Sequence, residues 1–174
     1  VAITAFSVEA LKSAAALEQS TGAIEAVFKD ASAVVEDFSD NAATNFGLSA
    51  SSYQNLAAVI GNSLKTMGLS TVDLAGKTND LIGLGADLAA TFGGTTADAV
   101  AALTSGLRGE YDSLERLIPG ITAATVSTKA LEMTGKTNAE QLVDSEKKAA
   151  FLALAFQNSA EAQGQFAREN DTAT

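Results

Sequence analysis

The chain has 174 residues, 47% of them hydrophobic, with a formal net charge of −10 and a pI near 4.3. That length suits one ordinary domain or a longer row of helices, and the acidity argues against nucleic-acid binding, which needs clustered Lys and Arg rather than eleven scattered ones. The absence of Cys and His removes disulfides, thiolate and imidazole metal sites, and every catalytic arrangement built on a His base.

The 35 alanines predict helix throughout, since alanine loses no side-chain entropy on becoming helical. They add little buried area, which predicts long, thin helical layers rather than a thick core. The opening stretch VAITAFSVEALKSAAALEQ carries Glu9 and Glu18 and does not read as a signal peptide. A weak helix is expected around residues 8–17, and Ile24, Val27, Phe28, Ala31, Val35 and Phe38 form one stripe after it. Gly47 breaks the chain and Ser49 is placed to cap the next helix. Tyr53, Leu56, Ile60, Leu64 and Met67 line that helix, and Gly68 is suited to end it in the left-handed conformation. Ser70 with Asp73 approaches a capping box. The helix it opens is expected to bury Leu74, Leu81, Leu84, Leu88 and Phe92 before Gly93-Gly94 stops it.

Thr95 and Asp98 repeat the capping pattern, and Val100, Leu103 and Leu107 are expected to face inward. Asp112 and Arg116 are spaced for a short solvated helix that Pro119 ends. A further helix is expected over residues 122–133, then a turn at 135–137. The last long helix is expected to begin near Asn138 and to carry Leu142, Ala149, Leu152 and Phe156. Residues 159–170 read as a polar helix weakly tied to any core. Such short breaks predict antiparallel packing of neighbours in an all-α fold, extended or bundle-like, without a long linker.

No motif for bond-making chemistry emerges. Gly76-Lys77-Thr78-Asn79 and Gly135-Lys136-Thr137-Asn138 invite a phosphate-loop reading, but Thr71 and Ala130 stand where the first glycine is needed, and no strand precedes either. The same tetrapeptide twice is chance, because the flanks differ. Gly83-x-Gly85 lacks the third glycine of a dinucleotide fingerprint, Leu88 standing there, and reads as a seat for close helix packing. Glu110, Asp112 and Glu115 flank Arg108 and Arg116 in a solvated ion-pairing pattern, not as a glycosidase pair. Glu25–Lys29 and Asp144–Lys148 read as surface pairs one turn apart. No Asp-x-Asp-x-Asp-Gly run offers an oxygen-only metal site. Met67 and Met133 at helix ends, and the eight Phe spread along the chain, read as core anchors. No uncharged apolar run approaches the ~18–20 residues that span a bilayer, so no membrane contact is expected from this segment.

Three stretches carry a resemblance. They are LKTMGLS (residues 64–70, with Met67 and Gly68), the block from Ala86-Asp87-Leu88-Ala89 through Leu103, Ser105-Gly106-Leu107-Arg108-Gly109-Glu110 and Leu114-x-x-Leu117, and Ala162-Gln163-Gly164-Gln165-Phe166-Ala167-Arg168. In this order they resemble a domain near the start of tail tape-measure proteins of long-tailed bacteriophages. Members usually have Asp where Gln165 stands, and often Glu-Pro where Asp112-Ser113 stands. The resemblance implies a helical family-like domain over residues 47–174, variable helices over 1–46, and a piece of a much longer polypeptide, as the start at Val1 and the stop at Thr174 also suggest. It implies a structural protein and not an enzyme, with no cofactor or metal. Several copies would run along the tail lumen and set its length, with the tail tube protein, tail assembly chaperones and tail-tip proteins as partners. Its place would be the host cytoplasm during assembly and then the virion tail, which it leaves ahead of the genome at ejection. It implies no sequence-specific contact with nucleic acid. The competing expectation from the residues is a helical partner-binding module of a secreted or surface bacterial protein.

Overall fold

The computed structural model describes residues 2–172, with side-chain surroundings at position 12 and from 14 onward. Helices α1 (Ala2–Phe28), α2 (Ser32–Asp40), α3 (Ala42–Phe46), α4 (Ala50–Leu64), α5 (Thr71–Phe92), α6 (Thr96–Leu107), α7 (Ala123–Thr134), α8 (Asp144–Asn158) and α9 (Gln165–Thr172) follow one another, with 3-10 turns at Lys29–Ala31, Lys65–Met67, Asp112–Leu114 and Ala139–Gln141. The described residues contain no strand, and the fold is all-α.

Local chemistry sets most boundaries. Four hydroxyls each accept the N–H three residues on: Ser49 from Ser52 (3.2 Å), and Ser70 from Asp73, Thr95 from Asp98 and Thr122 from Thr125 (3.1 Å each). Each satisfies one donor that the first helical turn leaves open. Ser70 and Thr95 also donate to the carboxylates of Asp73 and Asp98, at 2.6 and 2.7 Å. Gly47 and Gly68, at φ +67° and +70°, end the elements before them as expected.

Helix α5 is the hub and packs against α1, α2, α3, α4, α6 and α9. Helix α1 lies along α4, and α7 with α8 forms a hairpin set against α6 and the Lys65–Met67 turn. The core is one continuous cluster through Phe28, Tyr53, Leu81, Leu88, Leu103, Leu114 and Phe151, not the thin layers that the alanine content suggests. Glycine makes the difference. A Cβ on Gly61 would lie 2.4 Å from the Phe28 ring, one on Gly85 would lie 2.4 Å from Val100 Cγ2, and one on Gly106 would lie 2.4 Å from the Phe151 ring. Large side chains therefore seat against bare backbone, and small residues bring helices close instead of leaving gaps.

The structure departs from the sequence pattern at several positions. The stripe from Ile24 to Phe38 crosses two helices, because Lys29 takes φ +51° and the chain turns there. The ion pairs among the described residues do not include the expected Glu25–Lys29 pair. Phe92 is 44% exposed, since it ends α5 where the Gly93-Gly94 reversal carries the chain away. Met133 is 50% exposed in the last turn of α7, so of the two methionines only Met67 packs against the core. Asp112 and Arg116 lie in a 3-10 turn and its exit rather than in a helix. Asn138 caps only the Ala139–Gln141 turn; Leu142 is then extended (φ −73°, ψ 125°), and α8 starts at Asp144. The expected anchor Phe6 lies outside the residues whose side chains are described.

Candidate functional site

Asp87 joins two of the motif stretches across 77 residues of sequence. It stands near the end of α5 and is partly buried. Its Oδ2 accepts the Gly164 N–H at 2.8 Å and its Oδ1 accepts the Phe166 N–H at 3.1 Å. Gly164 precedes α9 and has no side chain to cap it, so the carboxylate of α5 supplies the cap from outside. A carboxylate is favoured there by the partial positive charge of a helix start. The Phe166 ring rests against Gly47, where a Cβ would come within 3.3 Å of it. Asn170 Nδ2 donates to the Thr44 carbonyl at 3.1 Å. Three elements thus meet: α5, the α3–α4 break and α9.

Ser105 to Glu110 form the end of α6. The Glu110 N–H reaches the Ser105 carbonyl at 3.0 Å, the Gly109 N–H reaches the Gly106 carbonyl at 3.0 Å, and Gly109 has φ +88°. These are the six-to-one and five-to-two bonds of a Schellman stop, with glycine in the left-handed position that a Cβ disfavours. Gly106 faces Phe151 and Leu114. Leu103, Leu114 and Leu117 are buried in the same core. Arg108 and Glu110 are exposed and lie 3.8 Å apart, with Arg108 Nη2 also 3.0 Å from Ser105 Oγ. Arg116 instead points to the Phe92 carbonyl at 3.5 Å. Met67 and Gly68 stand apart from both groups, at the end of α4, where Thr66 meets Asp144 (3.2 Å) and Lys148 (2.7 Å) of α8. Asp144 and Lys148 form their expected pair at 2.7 Å, which holds the Asp144 carboxyl below its ordinary range.

The two Gly-Lys-Thr-Asn tetrapeptides adopt unlike structures. The first lies inside α5, with Thr78 buried and its hydroxyl unpartnered and with Asn79 accepting the Tyr53 hydroxyl at 2.8 Å. The second forms the turn after α7, where Lys136 pairs with Glu146 at 2.7 Å and binds the Gln141 carbonyl. Neither presents a run of free amides.

One polar cluster carries no local signal in the sequence. Gln54, buried in α4, has its Oε1 2.6 Å from Ser20 Oγ and 3.2 Å from Thr21 Oγ1, and donates through Nε2 to Ser39 Oγ at 3.1 Å. It ties α4 to α1 and α2. The small residues Ala57 and Gly61, three and seven positions on, mark the face that α1 covers.

Among the described residues, no three acidic side chains converge to hold a metal ion, and no helix is long and apolar enough to cross a membrane. The fold and this site define an all-α chain in which the motif residues cap, stop and seat helices. No protein-family model, curated protein or solved structure matches it.

Proposed function

We propose that this chain is a structural segment of a tail tape-measure protein of long-tailed bacteriophages. In that role it scaffolds assembly of the tail tube, helps set tail length and occupies the lumen until genome ejection. Its partners are then the tail tube protein, assembly chaperones and tail-tip proteins, with further copies of itself alongside. The reading assigns it no catalysis and no cofactor.

One observation carries the reading: of the three ordered stretches, 86–117 and 162–168 meet in the fold, and their motif residues have architectural roles. Asp87 of the middle stretch accepts the N–H groups of Gly164 and Phe166 of the last. Leu103, Leu114 and Leu117 of the middle one lie in one core cluster, and Gly106 sits against Leu114. A framework protein needs residues of this kind more than it needs reactive ones. Mass spectrometry of purified tails from particles made by this gene tests it. Peptides of this chain inside tails are expected; their confinement to the host envelope would reject the reading.

Exposed apolar side chains at Val59, Val72, Met133 and Val143 favour a second reading, a helical partner-binding module of a secreted or surface bacterial protein. Tube, chaperone and tip genes beside the coding sequence decide for the first reading, and a secretion cluster decides for the second.

A further inference from the structure

We infer that α9 is a releasable strap, latched to the body of the fold by the Asp87 carboxylate. Ala162 is buried and closes the firmly packed part of the chain. Gly164 follows at φ +78°, a backbone position free to swivel once its N–H is released. Beyond it, no residue of α9 is buried.

The hydrogen bonds from α9 and its first turn to distant parts of the fold include the two accepted by Asp87 and the one from Asn170 to the Thr44 carbonyl; next to the Gly164 hinge, the Gln165 N–H also donates to the Ala162 carbonyl at 3.0 Å. Further bonds are local to the hinge and the strap. Arg168 binds Gln165 at 2.9 Å and the Gln163 carbonyl at 3.2 Å, and Gln165 binds Glu169 at 3.3 Å. The half-buried Phe166 ring packs on Gly47, and α9 lies against α5 and α3 without burying any of its own residues. An eight-residue helix does not persist in water without tertiary support. Detachment therefore unwinds α9 as well as moving it, and it uncovers the seam between α3 and α5 around Phe46 and Gly47. Both Asp87 bonds belong to one side chain, so substituting that one group shifts the strap's population of open states.

Hydrogen exchange on the full chain tests this. In the parent protein, the amides of residues 165–172 are expected to exchange faster than those of α5, with little dependence on denaturant. Asp87→Asn keeps the shape but turns an amide donor toward one of the two N–H groups. It is expected to speed exchange over residues 165–172 by about tenfold or more, with α5 and α6 unchanged. The chain has no native cysteine, so spin labels at Ala43→Cys and Ala167→Cys give an independent reading. A single short distance is expected in the parent background, and an added long one with Asp87→Asn. Unchanged exchange over 165–172 in Asp87→Asn would overturn the latch. Acceleration of α5, α6 and α9 together, or a distance distribution that Asp87→Asn leaves alone, would overturn the separate strap.

Discussion

Gly106 sits where three parts of the fold converge, and its missing side chain is the reason they can. A methyl group there would lie 2.4 Å from the Phe151 ring and 2.7 Å from Leu114 Cδ1, both fully buried. Gly106→Ala is expected to destabilise the fold by about 1–3 kcal/mol through overpacking, despite the better helix propensity of alanine; urea unfolding measures it. Thr78 predicts the opposite sign. Its hydroxyl is buried with no partner, so Thr78→Val removes a desolvated polar group and is expected to stabilise by about 1 kcal/mol. A lower urea midpoint for that variant would show that the hydroxyl does find a partner. Local residues of this kind are partly legible in the sequence. Ser49, Ser70 and Thr95 announce their caps, because donor and acceptor lie within three positions. Gln54 and Asp87 do not, because their partners lie 15 to 79 residues away and no pattern along the chain encodes that pairing.

Helix ends explain more of this chain than helix faces do. The Ser105–Glu110 segment reads as a motif, and its backbone bonds make it a stop signal for α6. Gly109→Ala forces a Cβ into the left-handed region and is expected to cost roughly 1–2 kcal/mol, while Gly109→Asn should cost less; thermal melts of the two variants separate them. Periodicity located α4, α5 and α6 well, since each has a cap, a stripe and a glycine stop close together. It misplaced the start of α8, because Asn138 is a true cap but of a single 3-10 turn, held down by Lys136 through Gln141 and Glu146. It also joined α1 to α2, since the stripe continues in phase through the turn at Lys29. Identical tetrapeptides became helix in one place and turn in another, so the flanking caps, not the four residues, decide.

At the scale of the whole molecule, stability is expected to depend on pH at both ends. Burial, and then the nearby Asp80 charge, raise the Tyr53 hydroxyl well above its usual value, and burial raises Tyr111 likewise. The fold therefore favours the protonated phenols. Their contribution is intact below about pH 10, where unfolded tyrosine titrates, and is lost as pH rises beyond it. Tyr53→Phe is expected to flatten that alkaline decline, followed by circular dichroism against pH. On the acid side, bonds from Lys148 to Asp144 and from Lys136 to Glu146 lower both carboxyls. Their contribution is present above about pH 4 and fades as pH falls through the lowered values.

We propose that this chain works as framework within a protein whose own length sets that of a phage tail. In-frame deletions in the same gene, outside these residues, followed by electron microscopy of the assembled tails, test it most directly. A helical ruler predicts tails shorter by about 1.5 Å for each residue removed. Tails of unchanged length across the deletion series would contradict it.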